Sequence, residues 1–342
     1  MRRLSTLVIW TLLAFGACGA SLAATATQPI PARSAQTADL QTLRALLKTP
    51  ESELDLARAK LAIDRQIDPE VDVTGTLRQL DALAARIKAR FPATATSQTK
   101  LQLLVTSLSQ PGPWNDYRPF SYDLDDPFGK DIRNKLLSTY LATRRGNCVS
   151  MPILLVIVGQ ELGLDITLAT APLHVLAKFR NDQGQWINIE ATSFGTKGDA
   201  SYQQELGITP KAVANGIYLR PLGRRESVAV MMNTLMEFYR EEPVRRMAVA
   251  DLVLQTDPKE ITAMLHKGGA YYDLLKQRYM SRYRSPAAIP PEERAEFEAL
   301  SEGNRTWFAK AEALGWTETT QAQDVNYLQS IQRTKDAQQG GR

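Results

Sequence analysis

Cys148 is the only cysteine beyond the first twenty residues of a 342-residue chain that holds two cysteines and two histidines in all. A thiol attacks a carbonyl only as thiolate, so a useful cysteine needs a positive surrounding and a base. The base has to be a histidine, and there are two, His174 and His266. His174 opens a strand pattern directly downstream of the cysteine, whereas His266 lies beside Lys267 in a helical, repeat-like region. His174 is therefore the better partner.

A third group follows from hairpin arithmetic. If the turn between His174–Arg180 and Trp186–Glu190 centres on Asp182, residue 174 faces residue 190 and both side chains point to one side of the sheet. Residue 190 is Glu. Val175, Ala177, Phe179, Ile187 and Ile189 take the other side as a continuous apolar set that would pack on a core, leaving His174 and Glu190 on the non-core face. A helix carrying Cys148 could dock there; a bulge at Gly184 would shift the pairing. Taken singly, each residue has a structural explanation: an inert buried thiol, a strand histidine, a solvated strand-end acid. The order helix-start Cys, strand His, next-strand acid is far less expected by chance.

These residues need elements to hold them. Helical spacing over Val149 to Leu162, with Gly163 as C-terminal cap, puts Cys148 at a helix N-terminus, where unpaired N–H groups and the macrodipole favour negative charge. Pro152 fits only near such a start. Arg144 and Arg145 lie just upstream but read as too exposed to act on the thiol. Strand patterns cover Asp165 to Thr170, His174 to Arg180 and Trp186 to Glu190, with a short strand expected at Gly216 to Leu219. Upstream, three helices are expected between Thr37 and Pro92, separated in part by Asp68-Pro69, and another helical stretch covers Asp131 to Thr143.

From Ser227 the pattern is helical again. A weak period of about 33 residues aligns Phe238-Tyr239 with Tyr271-Tyr272, a spacing that resembles tetratricopeptide repeats. Ser285 to Pro291 reads as a linker and Glu292 to Leu314 as a further helix.

Composition narrows the class. With 44% hydrophobic and 23% charged residues, the chain can bury a substantial core. Residues 1–24 read as an export signal, with Arg2 and Arg3 before an apolar stretch too short to span a bilayer. Phe15-Gly16-Ala17-Cys18 resembles a lipoprotein cleavage box, making Cys18 a candidate lipid anchor. The expected location is the periplasm or cell envelope, with no transmembrane segment after the signal. Removing the signal takes two arginines and lowers the formal net charge from +4 to +2. Charges of both signs are interspersed, which argues against a nucleic-acid surface. A single cysteine in the mature chain cannot form an internal disulfide. It also leaves too few ligands for a closed zinc site, and no G-x-S-x-G or phosphate loop occurs. No cofactor is expected.

RRGNCVSMPILL, PLHVLAKF and WINIEAT together resemble the transglutaminase-like superfamily. LDLARAKLAIDRQIDPEVDV and YDLDDPFGKDIRNKLLSTYLATRRGNC extend the likeness to a bacterial branch with helical N-terminal and repeat-like C-terminal segments. The resemblance implies an α+β fold with a papain-type core, a Cys-bearing helix packed on a small antiparallel sheet. It makes Cys148 the nucleophile, His174 the general base and Glu190, where the family usually has Asp, the residue that orients the imidazole. The backbone N–H of Cys148 becomes a candidate oxyanion donor. The expected organisation is signal 1–24, flexible lead 25–36, transglutaminase-like domain 37–225, helical repeat-like region 226–334 and disordered tail 335–342. The expected activity is acyl transfer from amide bonds of a protein or peptide substrate, ending on water or an amine, with the C-terminal helices available to a protein partner. The alternative is an inactive envelope scaffold that keeps the fold.

Overall fold

The computed structural model describes residues 35–318 and Gln329. The expected export signal (1–24), Cys18, most of the expected lead and the expected tail lie outside the described residues. Among the described residues no helix is long and apolar enough to cross a membrane.

The three expected N-terminal helices form: α1 Ala35–Lys48, α2 Leu56–Ile67 and α3 Val73–Lys88. Asp55 and Asp72 cap α2 and α3 by accepting from the N–H groups of Arg58 and Gly75. A fourth helix, α4 (Ser97–Ser109), was not expected, although Thr96 caps it and Leu101, Leu104 and Leu108 bury one face at helical spacing.

The stretch 131–143 is not one helix. It divides into a 3₁₀ turn, Ile132–Lys135, and α5, Leu137–Thr143. The cause lies in α2, where Lys60 and Asp64 form a fully buried ion pair. Lys60 donates to the Lys135 carbonyl at 3.0 Å and Asp64 accepts from the Leu137 N–H at 2.9 Å, so the pair takes backbone groups that a continuous helix would use.

A short parallel pair, β1 (Ser121–Tyr122) and β2 (Arg145–Gly146), leads into α6, Ser150–Glu161. Four antiparallel strands follow in the order β3 Ile166–Ala171, β4 His174–Arg180, β5 Trp186–Glu190 and β6 Gly195–Thr196. Gly216 to Leu219 is not a strand. Leu219 and Leu222 donate single bonds to Thr170 and Leu168 on the open edge of β3, but positive φ at Gly216 (67°) and Leu219 (59°) prevents an extended run. The remaining helices are α7 Asp199–Leu206, α8 Pro210–Ala214, α9 Arg224–Met231, α10 Asn233–Phe238, α11 Pro243–Thr256, α12 Ile261–Leu275 and α13 Pro291–Leu314. The Phe238-Tyr239 pair closes the short α10, while Tyr271-Tyr272 lie within α12.

The β4–β5 register differs from the expected one. Gly184, at φ 79°, donates to the Asn181 carbonyl, and the Asn181 N–H donates to Gln185, which makes a three-residue turn with a bulge. Arg180 then pairs with Trp186 and Ala177 with Ile189. The turn centres on Gln183, so Glu190 comes level with Leu176 and stands diagonal to His174. A displacement by two residues keeps the face, and His174 and Glu190 still share one side.

That side is not free of core packing. Leu176, Ala169 and Ala171 join Tyr202, Ile208, Tyr218, Met264 and Ala311 in a second apolar cluster, so segments after the sheet cover this face. Nor does α6 dock there. It packs on the face of Ile166, Ala177 and Phe179, with Gly159 so close to Ile166 that an added Cβ would meet its side chain at 2.7 Å. The thiol therefore approaches His174 around the end of the sheet at the β3–β4 turn.

Candidate functional site

Asn147 places the nucleophile. Its Oδ1 accepts from the N–H groups of Val149 (3.0 Å) and Ser150 (3.1 Å), while its own N–H donates to Ser150 Oγ at 3.1 Å. This reciprocal capping closes the first turn, and the Met151 N–H reaches the Asn147 carbonyl at 3.1 Å. By hydrogen bonding Cys148 is thus the first residue of the α6 turn. The cap takes the N–H groups of Val149 and Ser150 and leaves that of Cys148.

The loop before the helix locks this cap. Asn147 Nδ2 donates to the Asn134 carbonyl at 3.1 Å, and Asn134 Nδ2 donates to Asp126 Oδ2 at 2.8 Å. Asp126 also accepts from the N–H groups of Lys130 and Asp131. Gly129, at φ 58°, passes so near that a Cβ there would lie 2.6 Å from Asn147 Nδ2. Arg145 is exposed, as expected, and pairs with Asp123 and Asp125; Arg144, expected to be exposed, is instead half-buried and stacks on Phe120 at 4.2 Å.

Cys148 is buried, and its thiol donates weakly to the Leu173 carbonyl at 4.0 Å. His174, the next residue, has a largely covered side chain. Its Nε2 meets Glu190 Oε2 at 2.8 Å, which occupies that nitrogen. Nδ1 is buried without a hydrogen-bond partner, and the nearby Cys148 thiol favours the charged form of the ring. With Nε2 held by Glu190, Nδ1 is the nitrogen left to the sulfur. The structure brings together all three residues expected at the site, from the turn that opens α6, from β4 and from β5.

Glu190 is bonded at both oxygens. Oε2 accepts from His174 and from the Tyr202 hydroxyl at 2.7 Å; Oε1 accepts from the Thr192 N–H at 3.1 Å and its hydroxyl at 2.7 Å. Diagonal neighbours on adjacent strands stand about 7–8 Å apart, farther than opposed ones. The extra methylene of Glu over Asp helps the carboxylate cover that diagonal. Burial, the largest influence, pushes the Glu190 carboxyl up, but the His174 charge and these donors outweigh it and hold it at about 2. Burial likewise pushes the His174 ring down, and the charge and bond of Glu190, with the nearby Cys148 thiol, reverse this, raising it to about 10. Both shifts favour the charged forms of the pair, a carboxylate on Glu190 and an imidazolium on His174, so a proton taken up by the ring is stabilised there.

Four residues at the site were not anticipated. Asn147 and Ser150 form an N-x-x-S capping pattern that was readable in the sequence. Thr192 lies two residues past the acid in a turn. Tyr202, nearly inaccessible and 6.0 Å from the His174 ring centre to centre, comes from α7, an element no periodicity announced. His266 is half-buried in α12, where desolvation first and then Arg246, Arg240 and Lys135 lower its pKa to about 3. Among the described residues no group of three or more His, Cys, Asp or Glu could hold a metal ion.

Comparison with family models gives a match to the one described as Transglutaminase-like superfamily, over residues 75–233. The matched segment runs from α3 to the start of α10 and contains Cys148, His174, Glu190 and every residue that hydrogen-bonds Glu190. No curated protein and no solved structure matches the chain. The geometry and the family match agree on the same segment: the chain carries a transglutaminase-like superfamily domain.

Proposed function

We propose that this chain is an exported cysteine hydrolase or acyltransferase that opens amide bonds of proteins or peptides through a thioester on Cys148. The observation that carries the reading is the 2.8 Å bond from His174 Nε2 to Glu190, which leaves the buried Nδ1 without a partner beside the residue whose carbonyl the Cys148 thiol touches. Glu190 on Nε2 fixes the ring and its charge; Nδ1 exchanges the proton with sulfur.

In the first half, the Cys148 sulfur attacks the amide carbonyl, forming a C–S bond while its proton resides on His174. The oxyanion is stabilised by the Cys148 N–H, which the helix cap leaves unused, and by the helix N-terminus. Collapse breaks the C–N bond as His174 returns the proton to the leaving amine. In the second half, water or a primary amine attacks the thioester, His174 takes a proton from it, and the C–S bond breaks to restore the thiol. Hydrolysis and crosslinking differ only in this acceptor. The reading of residues 1–24 as an export signal supports envelope proteins or peptidoglycan-linked peptides as substrates.

The test uses p-nitrophenyl acetate as a simple acyl donor and intact-mass spectrometry. The expected result is a burst of p-nitrophenolate with a hydroxylamine-labile acetyl group on Cys148, absent in Cys148→Ser and slowed in His174→Ala. A wild-type protein that takes no acetyl group at Cys148 while folded contradicts the proposal.

A further inference from the structure

Leu173 is a costly choice at its position. It forms, with Pro172, the two-residue turn between Ala171 and His174, which pair directly across β3 and β4. Its φ is 56°, in the left-handed region where Gly or Asn is ordinarily found and a bulky side chain is strained. It is also 64% exposed, one of few large apolar side chains so open to solvent. Neither packing nor turn chemistry accounts for a leucine here, since Gly would relieve the strain and a polar residue would suit the exposure.

Its place in the site does account for it. The Leu173 carbonyl is the group that the Cys148 thiol touches, and the next residue is His174. Cys148 is buried and the side chains of His174 and Glu190 are largely covered, so Leu173 is the open edge of the constellation. An acyl donor whose carbonyl carbon comes within about 3–3.5 Å of the sulfur comes close to this turn, because the thiol lies against its carbonyl.

We propose that Leu173 is a specificity-determining residue: its exposed side chain receives an apolar side chain of the acyl donor, at or next to the residue that bears the scissile carbonyl. The inference rests on the acyl-transfer reading above and names the substrate class, peptides with a leucine- or phenylalanine-like group at that place. Burying such a group against Leu173 removes apolar surface of both partners from water. The backbone conformation matters too, because it sets the apolar tip beside the nucleophile.

The test uses peptidyl chloromethyl ketones that differ only in the residue carrying the warhead: Leu, Phe, Ser or Asp. The sulfur forms a C–S bond, chloride leaves, and the thiol proton passes through His174 to solvent. Each alkylation rate at Cys148 is divided by the iodoacetamide rate of the same protein, which removes changes in thiol reactivity. In the full mature chain the normalised rate should be about ten-fold higher for Leu or Phe than for Ser or Asp. Leu173→Gly and Leu173→Asn, both suited to positive φ, should bring that ratio to within about two-fold of unity, and Leu173→Gly should melt no lower than wild type. An unchanged ratio in both variants, or no preference in wild type, overturns the inference. So does a shift from dimer to monomer on sedimentation in the variants, which would assign the leucine to self-association. If iodoacetamide fails to label native Cys148, the acyl-transfer reading fails first; labelling without an apolar preference removes only the role of Leu173.

Discussion

Glu190 stands diagonal to His174 across the β4–β5 ladder, level with Leu176, and still meets the imidazole at 2.8 Å. The side-chain length and the strand register match one another. Glu190→Asp should therefore lose the contact and slow acylation of Cys148 about ten-fold or more, and Glu190→Gln, which keeps the length but removes the charge, should cost about a hundred-fold or more. Burst kinetics on the three proteins measures both. Full activity of the Asp variant would mean that the diagonal is not what selects Glu.

The same pair predicts a pH dependence of stability. His174 is raised from 6.5 to about 10, so its contribution is complete below 6.5 and lost as pH rises through 10. Glu190 is lowered from 4.5 to about 2, so its contribution is complete above 4.5 and lost as pH falls through 2. Both contribute fully between 4.5 and 6.5. The stability difference between wild type and Glu190→Gln should be largest in that window, on the order of 3–5 kcal/mol for breaking a buried pair, and should shrink steadily toward pH 10. Thermal melts of both proteins from pH 5 to 10 check it; a constant difference contradicts the pairing.

How much of this was legible follows from the range of each interaction. The strand His174–Arg180, the helix after Cys148 and the apolar set Val175, Ala177 and Phe179 show in local periodicity, and the structure has all of them. The face shared by His174 and Glu190 was also readable, because alternation survives a register error of two. The register itself was not, since the bulge at Gly184 moves the turn centre by one residue. Lys60 and Asp64 break the helix at 135–137 from more than seventy residues away, which no local pattern reports. Tyr202 likewise reaches Glu190 from a helix without amphipathic spacing. The Leu101, Leu104, Leu108 spacing of α4 was legible and was missed.

Asn147 couples helix initiation to the nucleophile. Asn147→Ala removes the cap acceptor and the bond to Asn134, and should cost about 1–2 kcal/mol in denaturant unfolding. It should also slow Cys148 alkylation in protein that remains folded, because the turn carrying the thiol loses its fastening. Lower stability with an unchanged alkylation rate would restrict Asn147 to a structural role.

Tyr202→Phe removes one of two donors on Glu190 Oε2 without changing the packing volume of α7. Loss of a hydrogen bond to a buried charged group should cost about 1.5–3 kcal/mol. Nuclear magnetic resonance of the His174 ring should show its pKa moving, since Glu190 loses a donor that holds its charge. A ring pKa identical to wild type would leave Tyr202 as core packing only.

The central claim is that His174 governs the reactivity of the Cys148 thiol. Its most direct measurement is the rate of iodoacetamide alkylation at Cys148 in the native chain near pH 7, with mass spectrometry placing the adduct, for wild type, His174→Ala and His174→Gln. Native labelling that slows about ten-fold or more in both folded variants is the predicted result. Equal rates in all three proteins, or labelling of wild type only after denaturation, would show an inert thiol and contradict it.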